Sequence, residues 1–314
     1  MVNAIKRAWP HAHITWVVEP MPSGMLRPHP SVDDVIVFHK KMGWRGVRQL
    51  HAELRGRHFD LALNFNIYFK SIFPTFFSRA PRRIGFDRAR ARDGVWLFAN
   101  EHLRPGPRKH TQDLFLDFLE VLGIDAQPLQ WLIPITETEK LEQEAFFENL
   151  QDRRIVGVVP ASANPKKDWP AHNYPALVDT LVDQFHAHVL LLGGPGEREQ
   201  RIARYIIEQA AHKPTWGLGD SIRRLIWLID GCQLLIAPDT GPVHIARALE
   251  VPVVGLYGHT NPWRVGPYRK YEELWIDRYN EPGAPPDPSN AEPKHGRMEL
   301  ISVADVLEKV ACVF

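Results

Sequence analysis

The 314-residue chain has few of the compositional features from which a protein class can be recognised directly. Its two cysteines, Cys232 and Cys312, are far apart and lie in apolar surroundings, so we predict buried, reduced, inert thiols and a cytoplasmic protein. Lys and Arg number 38 against 37 Asp and Glu, and this balance gives no reason to expect nucleic acid. No apolar run reaches the roughly 18 residues that a membrane-spanning helix needs.

Several sequence motifs are also missing. The chain has no GxxxxGK[ST] loop and no GxGxxG, which argues against a P-loop NTPase and a standard dinucleotide-binding domain. No group of His, Asp or Glu has the spacing of a metal site, so we predict neither metal nor cofactor. A two-domain epimerase or NAD-type protein is disfavoured for the same lack of a dinucleotide motif.

Short apolar segments alternate with amphipathic segments along most of the chain. This rhythm predicts an α/β protein with parallel sheets covered by helices on both sides. It breaks at about 124–153 and then restarts, which predicts two doubly wound domains, 1–150 and 151–314, joined by a hinge. The terminal segment ISVADVLEKVACVF predicts a helix, which could pack back on the first domain. The first residues resemble the last turns of a helix, so we expect a strand and a loop upstream of them.

Ligands of open parallel sheets bind beyond the carboxyl ends of the strands, and three loops of the second half are equipped for this. The first, 161–170, offers the Ser162 hydroxyl and the ammonium groups of Lys166 and Lys167 for phosphate, or it is a solvated loop anchored by Trp169. The second, 193–197, has glycines and Glu197, which could hold ribose hydroxyls or merely stabilise a helix dipole.

The third loop is APDTGPVH, at residues 237–244. A simple helix cap would need only Asp239 or Thr240, and this loop has both, followed by Gly241 and, one turn later, His244. The free amides of a helix start favour an anion. His244 alone could equally be a core histidine. Together the three loops predict a nucleotide-diphosphate site.

The segment 79–92 holds six arginines against one acid. It predicts a local surface that attracts anions, although a solvated arginine-rich face would look the same. A nucleotide on one domain and an anionic partner on the other suggest group transfer.

These motifs carry a family resemblance. DTGPVHIARALEVPVVGLYGHTNPWRVGPY strongly resembles the signature block of the glycosyltransferase family that contains the ADP-heptose:lipopolysaccharide heptosyltransferases. PASANPKKDWP, PRRIGFDR and FDLALNFNIYFKS are similar to further segments of that family, in the same order. The resemblance implies a GT-B fold, with two Rossmann-like domains facing a cleft. It implies an inverting, metal-independent transfer of heptose from ADP-heptose to the anionic inner core of lipopolysaccharide.

The resemblance also implies residue roles. Lys167 would contact the donor phosphates, with Ser162 beside it, and Glu197 would hold the ribose. Asp239 would reach the sugar hydroxyls, Thr240 and Gly241 would give amides to the diphosphate, and His244 matches the histidine of the same helix. On the acceptor side, the basic residues would bind anionic groups; they are Lys70, Arg82, Arg83 and Arg88. The protein would be cytoplasmic, and could lie peripherally at the inner membrane of a Gram-negative bacterium; its oligomeric state is not implied.

The family's general base is an aspartate in a Gly-Asp loop, and the resemblance places it upstream of Met1. No residue of the chain visibly replaces it, since Asp33 and Asp34 stand at the start of a strand. A donor-binding relative with little or no catalysis, or a transferase that uses a different nucleotide sugar, therefore stays open as an alternative.

Overall fold

A computed structural model describes residues 1–150 and 153–314 of the protein. The chain divides into two compact units, Met1–Gln130 and Trp131–Phe314. The longest described helices have 13 residues, and none of the described helices is long and apolar enough to cross a membrane.

The first unit is built from short parallel strands and helices. β1 pairs with β2, and in a separate sheet β4 lies between β3 and β5. The strands are β1 (Thr15–Val18), β2 (Asp34–Val37), β3 (Leu61–Asn64), β4 (Arg82–Gly85) and β5 (Glu101–His102). The helices are α1 (Val2–Ala8), α2 (Pro20–Leu26), α3 (Trp44–Leu54), α4 (Ile72–Phe77) and α5 (Thr111–Val121).

The second unit has one six-stranded sheet in the order β11-β10-β9-β6-β7-β8, with every pairing parallel. The strands are β6 (Arg154–Val158), β7 (Ala187–Leu191), β8 (Thr215–Trp216), β9 (Leu234–Pro238), β10 (Val253–Tyr257) and β11 (Ile276–Asp277). The helices are α6 (Glu137–Phe147), α7 (Asn173–Phe185), α8 (Glu197–Gln209), α9 (Ile222–Asp230), α10 (Gly241–Ala248), α11 (Pro262–Val265) and α12 (Val303–Ala311).

This strand order creates a switch point. The chain leaves β6 for β7 and β8 on one side, then returns to build β9, β10 and β11 on the other side. The loops after β6 and β9 therefore diverge, and a crevice opens between the carboxyl ends of these two neighbouring strands. β9 and β10 are buried at every position, as their continuous apolar runs predict for strands covered on both faces.

The division of the chain falls at Gln130, earlier than the predicted boundary at 150; Gln151 and Asp152 lie outside the described residues. The reason is that α6 packs against α9. Glu139 pairs with Arg223, and Gln143 Nε2 donates a hydrogen bond to the Trp227 carbonyl at 2.7 Å. The segment expected to be a hinge thus contributes a helix to the second unit.

The end of the chain contributes a helix and one exposed cysteine to the second unit. The helix α12 packs within the second unit, against α7 and β10, and buries Val306 and Val310 completely. Cys312 is exposed, because it lies at the carboxyl end of this surface helix, so the prediction that both thiols are buried is wrong for it. Cys232 is buried, and burial raises the pKa of its thiol to about 12.

Candidate functional site

The loop after β6 is fixed by its own side chains. Trp169 is fully buried and its Nε1 donates to the Ile301 carbonyl at 2.8 Å. The buried Ser162 hydroxyl donates to the Asn164 carbonyl at 2.7 Å and accepts from the Asn164 amide at 3.2 Å. Asn164 in turn accepts from the Lys166 amide and starts a 3₁₀ turn, Pro165–Lys167. The loop therefore holds Lys167 at the carboxyl edge of the sheet, while Ser162 already uses its hydroxyl within the loop.

Asp239, the first residue after β9, lies on the other side of the switch point. It is buried, and its Oδ2 accepts from Lys167 Nζ at 2.6 Å and from Thr260 Oγ1 at 2.8 Å. The structure thus brings together Lys167 and Asp239, which the sequence predicted separately for one site. Thr260, just beyond β10, had no predicted role, although it lies within the GLYGHTNP segment that carried the resemblance.

The start of α10 has no side-chain cap. Thr240 occupies the capping position with extended backbone, but its side chain accepts no hydrogen bond from the helix, and the Asp239 carboxylate faces Lys167 instead. Pro242 has no amide to cap. Beyond Gly241 the space is open, since a Cβ placed there would meet no atom within 4 Å. The amides and dipole of this helix end are therefore directed at open space, where they favour an anion.

His244 lies in the first turns of the same helix with its side chain exposed. Protein atoms nevertheless surround the ring closely enough that desolvation lowers its pKa, and the Lys167 ammonium lowers it further against the opposing effect of Asp239. The neutral imidazole is therefore the dominant form at pH 7.

The loop after β7 carries the third set of groups. Glu197 is exposed in the first turn of α8. Two residues on, Glu199 Oε2 is buried with no hydrogen-bond partner in the described part of the chain. A Cβ atom added to Gly194 would lie 2.8 Å from this oxygen. Any other residue at position 194 would therefore displace the Glu199 carboxylate.

Arg198 joins the first two loops. Its guanidinium pairs with the Asp168 carboxylate and donates to the Ser162 carbonyl. Arg198 and Glu199 had no predicted role, since a charged run at a helix start is typical of a solvated face. Only the position of this run, directly after a glycine-rich loop at a strand end, could have marked them.

The proline-rich segment 280–297 is hydrogen-bonded to the loop that follows β10, on both sides of Thr260. Asn261 Nδ2 donates to the carbonyls of Asp287 at 2.7 Å and Asn290 at 3.0 Å, and His259 Nδ1 lies 2.6 Å from the Lys294 carbonyl oxygen. This segment is irregular, as its five prolines predict, yet it is anchored at the residues on both sides of Thr260.

In the first unit, the predicted anion-binding residues separate into two groups. Arg82 begins β4 and pairs with Glu101 at 2.7 Å, and Arg83 donates to the carbonyls of Ala80 and Phe98. Both lie at the amino end of their strand and are engaged there. Lys70 and Arg88 instead follow the carboxyl ends of β3 and β4, where both side chains are exposed.

In residues 1–150 and 153–314, no three His, Cys, Asp or Glu side chains lie close enough to hold a metal ion.

Comparison with known proteins decides the family. The pattern of glycosyltransferase family 9 (heptosyltransferase) matches residues 47–284. The chain belongs to glycosyltransferase family 9. This family 9 enzyme is 30% identical over 282 residues to the lipopolysaccharide core heptosyltransferase OpsX of Haemophilus influenzae, a match that covers 90% of this chain and 80% of that relative.

Solved structures show the fold of this family 9 glycosyltransferase. A family 9 protein from Veillonella parvula has a TM-score of 0.84 at 22% identity, over 99% of this chain and 91% of that one. The heptosyltransferase WaaC of E. coli, solved with ADP-2-deoxy-2-fluoro heptose, has a TM-score of 0.71 at 19% identity, over 99% and 94% of the two chains. The predicted GT-B fold and the assignment as a glycosyltransferase are confirmed.

Proposed function

We propose that this enzyme transfers heptose from ADP-heptose to the inner core of lipopolysaccharide, with inversion at the anomeric carbon and without a metal ion. The name of the relative OpsX and the ligand of WaaC support this choice of acceptor and donor. The observation that carries the proposal is the Lys167–Asp239 ion pair beside the uncapped start of α10, at the switch point of the sheet.

The leaving group is the first chemical requirement. When the bond between the anomeric carbon and the phosphate oxygen breaks, negative charge builds up on the departing ADP. The Lys167 ammonium and the amides at Thr240 and Gly241 offer fixed positive charge and donors for the diphosphate, so they stabilise the transition state without rearrangement. Neutral His244, on the same helix, can hydrogen-bond the phosphate oxygens.

The sugar is the second requirement. Both hydrogen bonds that the described residues make to the Asp239 carboxylate go to Oδ2. This leaves Oδ1 to accept from a heptose hydroxyl, which a carboxylate does strongly. Lys167 therefore serves twice, since it faces the diphosphate and also fixes the carboxylate that recognises the sugar.

The remaining roles follow from position. Glu197, exposed beside the glycine loop, accepts from the ribose hydroxyls, and Ser162 keeps the Lys167 loop in shape. Lys70 and Arg88 bind anionic groups of the acceptor, and we assign Arg82 and Arg83 a smaller share because they are engaged with Glu101 and with backbone carbonyls.

Calorimetric titration tests the donor. We expect ADP-heptose to bind more tightly than ADP, because Asp239 adds a contact to the sugar, and we expect UDP-glucose to bind more weakly than either. Equal affinities for ADP-heptose and UDP-glucose would contradict the proposed donor and favour a different nucleotide sugar.

A further inference from the structure

The proline-rich segment 280–297, which we call the strap, is held against the second unit at both ends. Tyr279, the residue before it, is fully buried, and its hydroxyl donates to the Glu292 carbonyl at 2.8 Å. At the far end, the Arg297 backbone packs on Gly258, where an added Cβ would lie 2.6 Å from the Arg297 carbonyl oxygen. The strap is therefore a fixed part of the fold, although it has no regular structure of its own.

Asn261 anchors the middle of the strap. The residue is 3% exposed, and its Nδ2 donates to the carbonyls of Asp287 at 2.7 Å and Asn290 at 3.0 Å. The Oδ1 of the same side chain accepts from the Trp263 amide at 3.2 Å and so caps α11. The nitrogen of this amide thus binds the strap, while its oxygen starts a helix.

The residues that bind the strap are the sequence neighbours of Thr260. The Thr260 hydroxyl donates to Asp239 Oδ2 at 2.8 Å, and Asn261 follows Thr260 directly. On the other side of Thr260, His259 Nδ1 lies 2.6 Å from the Lys294 carbonyl oxygen. The strap is therefore bound to both neighbours of the residue that contacts Asp239, the carboxylate that we assign to the sugar.

The strand order places the strap relative to the donor. Four neighbouring strands follow one another as β7, β6, β9 and β10. The loops after them carry, in the same order, Glu197, Lys167, Asp239 and Thr260. The first three match the order of ribose, diphosphate and sugar in the proposed donor. Neighbouring strands are about 4.8 Å apart, so the part of the sugar farthest from the diphosphate reaches the loop after β10, to which the strap is bound.

We propose that the strap closes the sugar end of the donor site and selects the sugar by its length. A heptose has one carbon more than a hexose, with a hydroxyl on it, at the end remote from the anomeric carbon. A wall that is fixed before binding can contact this extra group without the cost of ordering a loop, and so favours the longer sugar. This inference rests on the proposed function, because it takes an ADP-sugar as the donor.

Calorimetry with ADP, ADP-heptose and ADP-mannose, whose sugar is a hexose, tests the inference. The wild type should bind ADP-heptose at least about tenfold more tightly than ADP-mannose, as one recognised carbon unit allows. Asn261→Asp keeps the oxygen that caps α11 and loses both hydrogen bonds to the strap. It should lower the preference for ADP-heptose about fivefold, which corresponds to the loss of one hydrogen bond to the sugar, and leave ADP affinity unchanged.

Tyr279→Phe loosens the strap without changing the loop after β10, and it should lower the preference in the same direction. Tyr271→Phe is the matched control, since its hydroxyl donates to the Glu250 carbonyl at 2.7 Å, outside the strap, and it should keep the wild-type preference. Thermal unfolding should show all three variants folded.

The inference is overturned if Asn261→Asp keeps the preference for ADP-heptose. It is also overturned if Asn261→Asp loses the preference and Tyr279→Phe keeps it, since displacement of Thr260 would then be the cause. A wild type that binds ADP-heptose and ADP-mannose equally contradicts the proposed donor, and this inference with it.

Discussion

Lys167 and Asp239 lie 72 residues apart in the sequence, and their side chains meet at 2.6 Å between Nζ and Oδ2. The ion pair joins the loops after β6 and β9, the two strands that flank the switch point. The Asp239 side chain is 8% exposed, so protein atoms replace most of the water around its carboxylate. Removing one member leaves the other without its charged partner in a poorly solvated position.

Lys167→Ala should weaken ADP binding by about 1.5–3 kcal/mol, because it removes charge-assisted hydrogen bonds to the diphosphate. Calorimetry with ADP measures this directly. Lys166→Ala is the matched control, since that neighbouring lysine is exposed, and it should change ADP affinity little. If the two variants bind ADP alike, Lys167 does not contact the diphosphate.

Asp239→Asn should reduce turnover and sugar recognition more than ADP affinity. The amide keeps the shape of the side chain but loses the charge that accepts from a sugar hydroxyl and from Lys167 Nζ. Titrations with ADP and with ADP-heptose, run side by side, separate the two effects. A variant that keeps the wild-type preference for ADP-heptose would exclude the sugar contact.

Thr260 should position Asp239 through its 2.8 Å hydrogen bond to Oδ2. Thr260→Val keeps the shape and loses the hydroxyl. We therefore expect kcat to fall about fivefold, which corresponds to the loss of a hydrogen bond of about 1 kcal/mol, with ADP affinity unchanged. Thr260→Ser keeps the hydroxyl and should restore most of the loss. Equal defects in both variants would mean that packing of the methyl group, and not the hydrogen bond, is what matters.

Lys70→Ala with Arg88→Ala should raise the acceptor KM and leave the donor Kd alone. The pair Arg82→Ala, Arg83→Ala is the comparison, since those guanidinium groups already bond Glu101 and backbone carbonyls. Steady-state kinetics with varied acceptor gives both values. A larger acceptor effect from the Arg82 and Arg83 pair would reverse the assignment.

Glu139→Gln should lower the free energy of unfolding of the second unit by about 1.5–3 kcal/mol at neutral pH, because Glu139 accepts charge-assisted bonds from Arg223. The Arg223 hydrogen bond also holds the pKa of Glu139 below its ordinary value. A lowered carboxyl pKa stabilises the fold above the pKa of the unfolded state, and the contribution is lost as pH falls through the folded pKa.

Denaturant unfolding at several pH values measures the effect of Glu139→Gln, which should also flatten the acid dependence. Glu137→Gln is the control, since that side chain is 88% exposed, and it should behave like the wild type. An identical loss in both variants would show that Glu139 does not bind α6 to α9.

The sequence predicted the main elements of the fold where the pattern is local. The predicted alternation of apolar and amphipathic segments includes the apolar runs CQLLIA and PVVGLYG, which form β9 and β10. The two-residue strands β5 and β11 and the short helix α2 were not predicted, because so few residues show no periodic pattern. The boundary shifted for a different reason. Glu139 and Arg223 meet across 84 residues, and no periodicity reports such a contact.

The candidate site shows the same contrast between local patterns, which the sequence reveals, and long-range contacts, which it does not. Lys167, Asp239 and Gly241 could be predicted, because strand ends of a parallel sheet share an edge. Their mutual geometry could not, since Thr260 and Arg198 act through long-range hydrogen bonds that depend on the packed loops. The uncapped start of α10 is likewise visible only in the structure, as DTGP reads equally well as a capped helix.

Mass spectrometry of an inner-core acceptor after incubation with the protein and ADP-heptose tests the central claim most directly. The account predicts that the acceptor gains the mass of one heptose, that ADP is released in equal amount, and that Lys167→Ala slows both. An acceptor of unchanged mass, with ADP-heptose bound by the wild type, would contradict heptose transfer and leave a donor-binding protein.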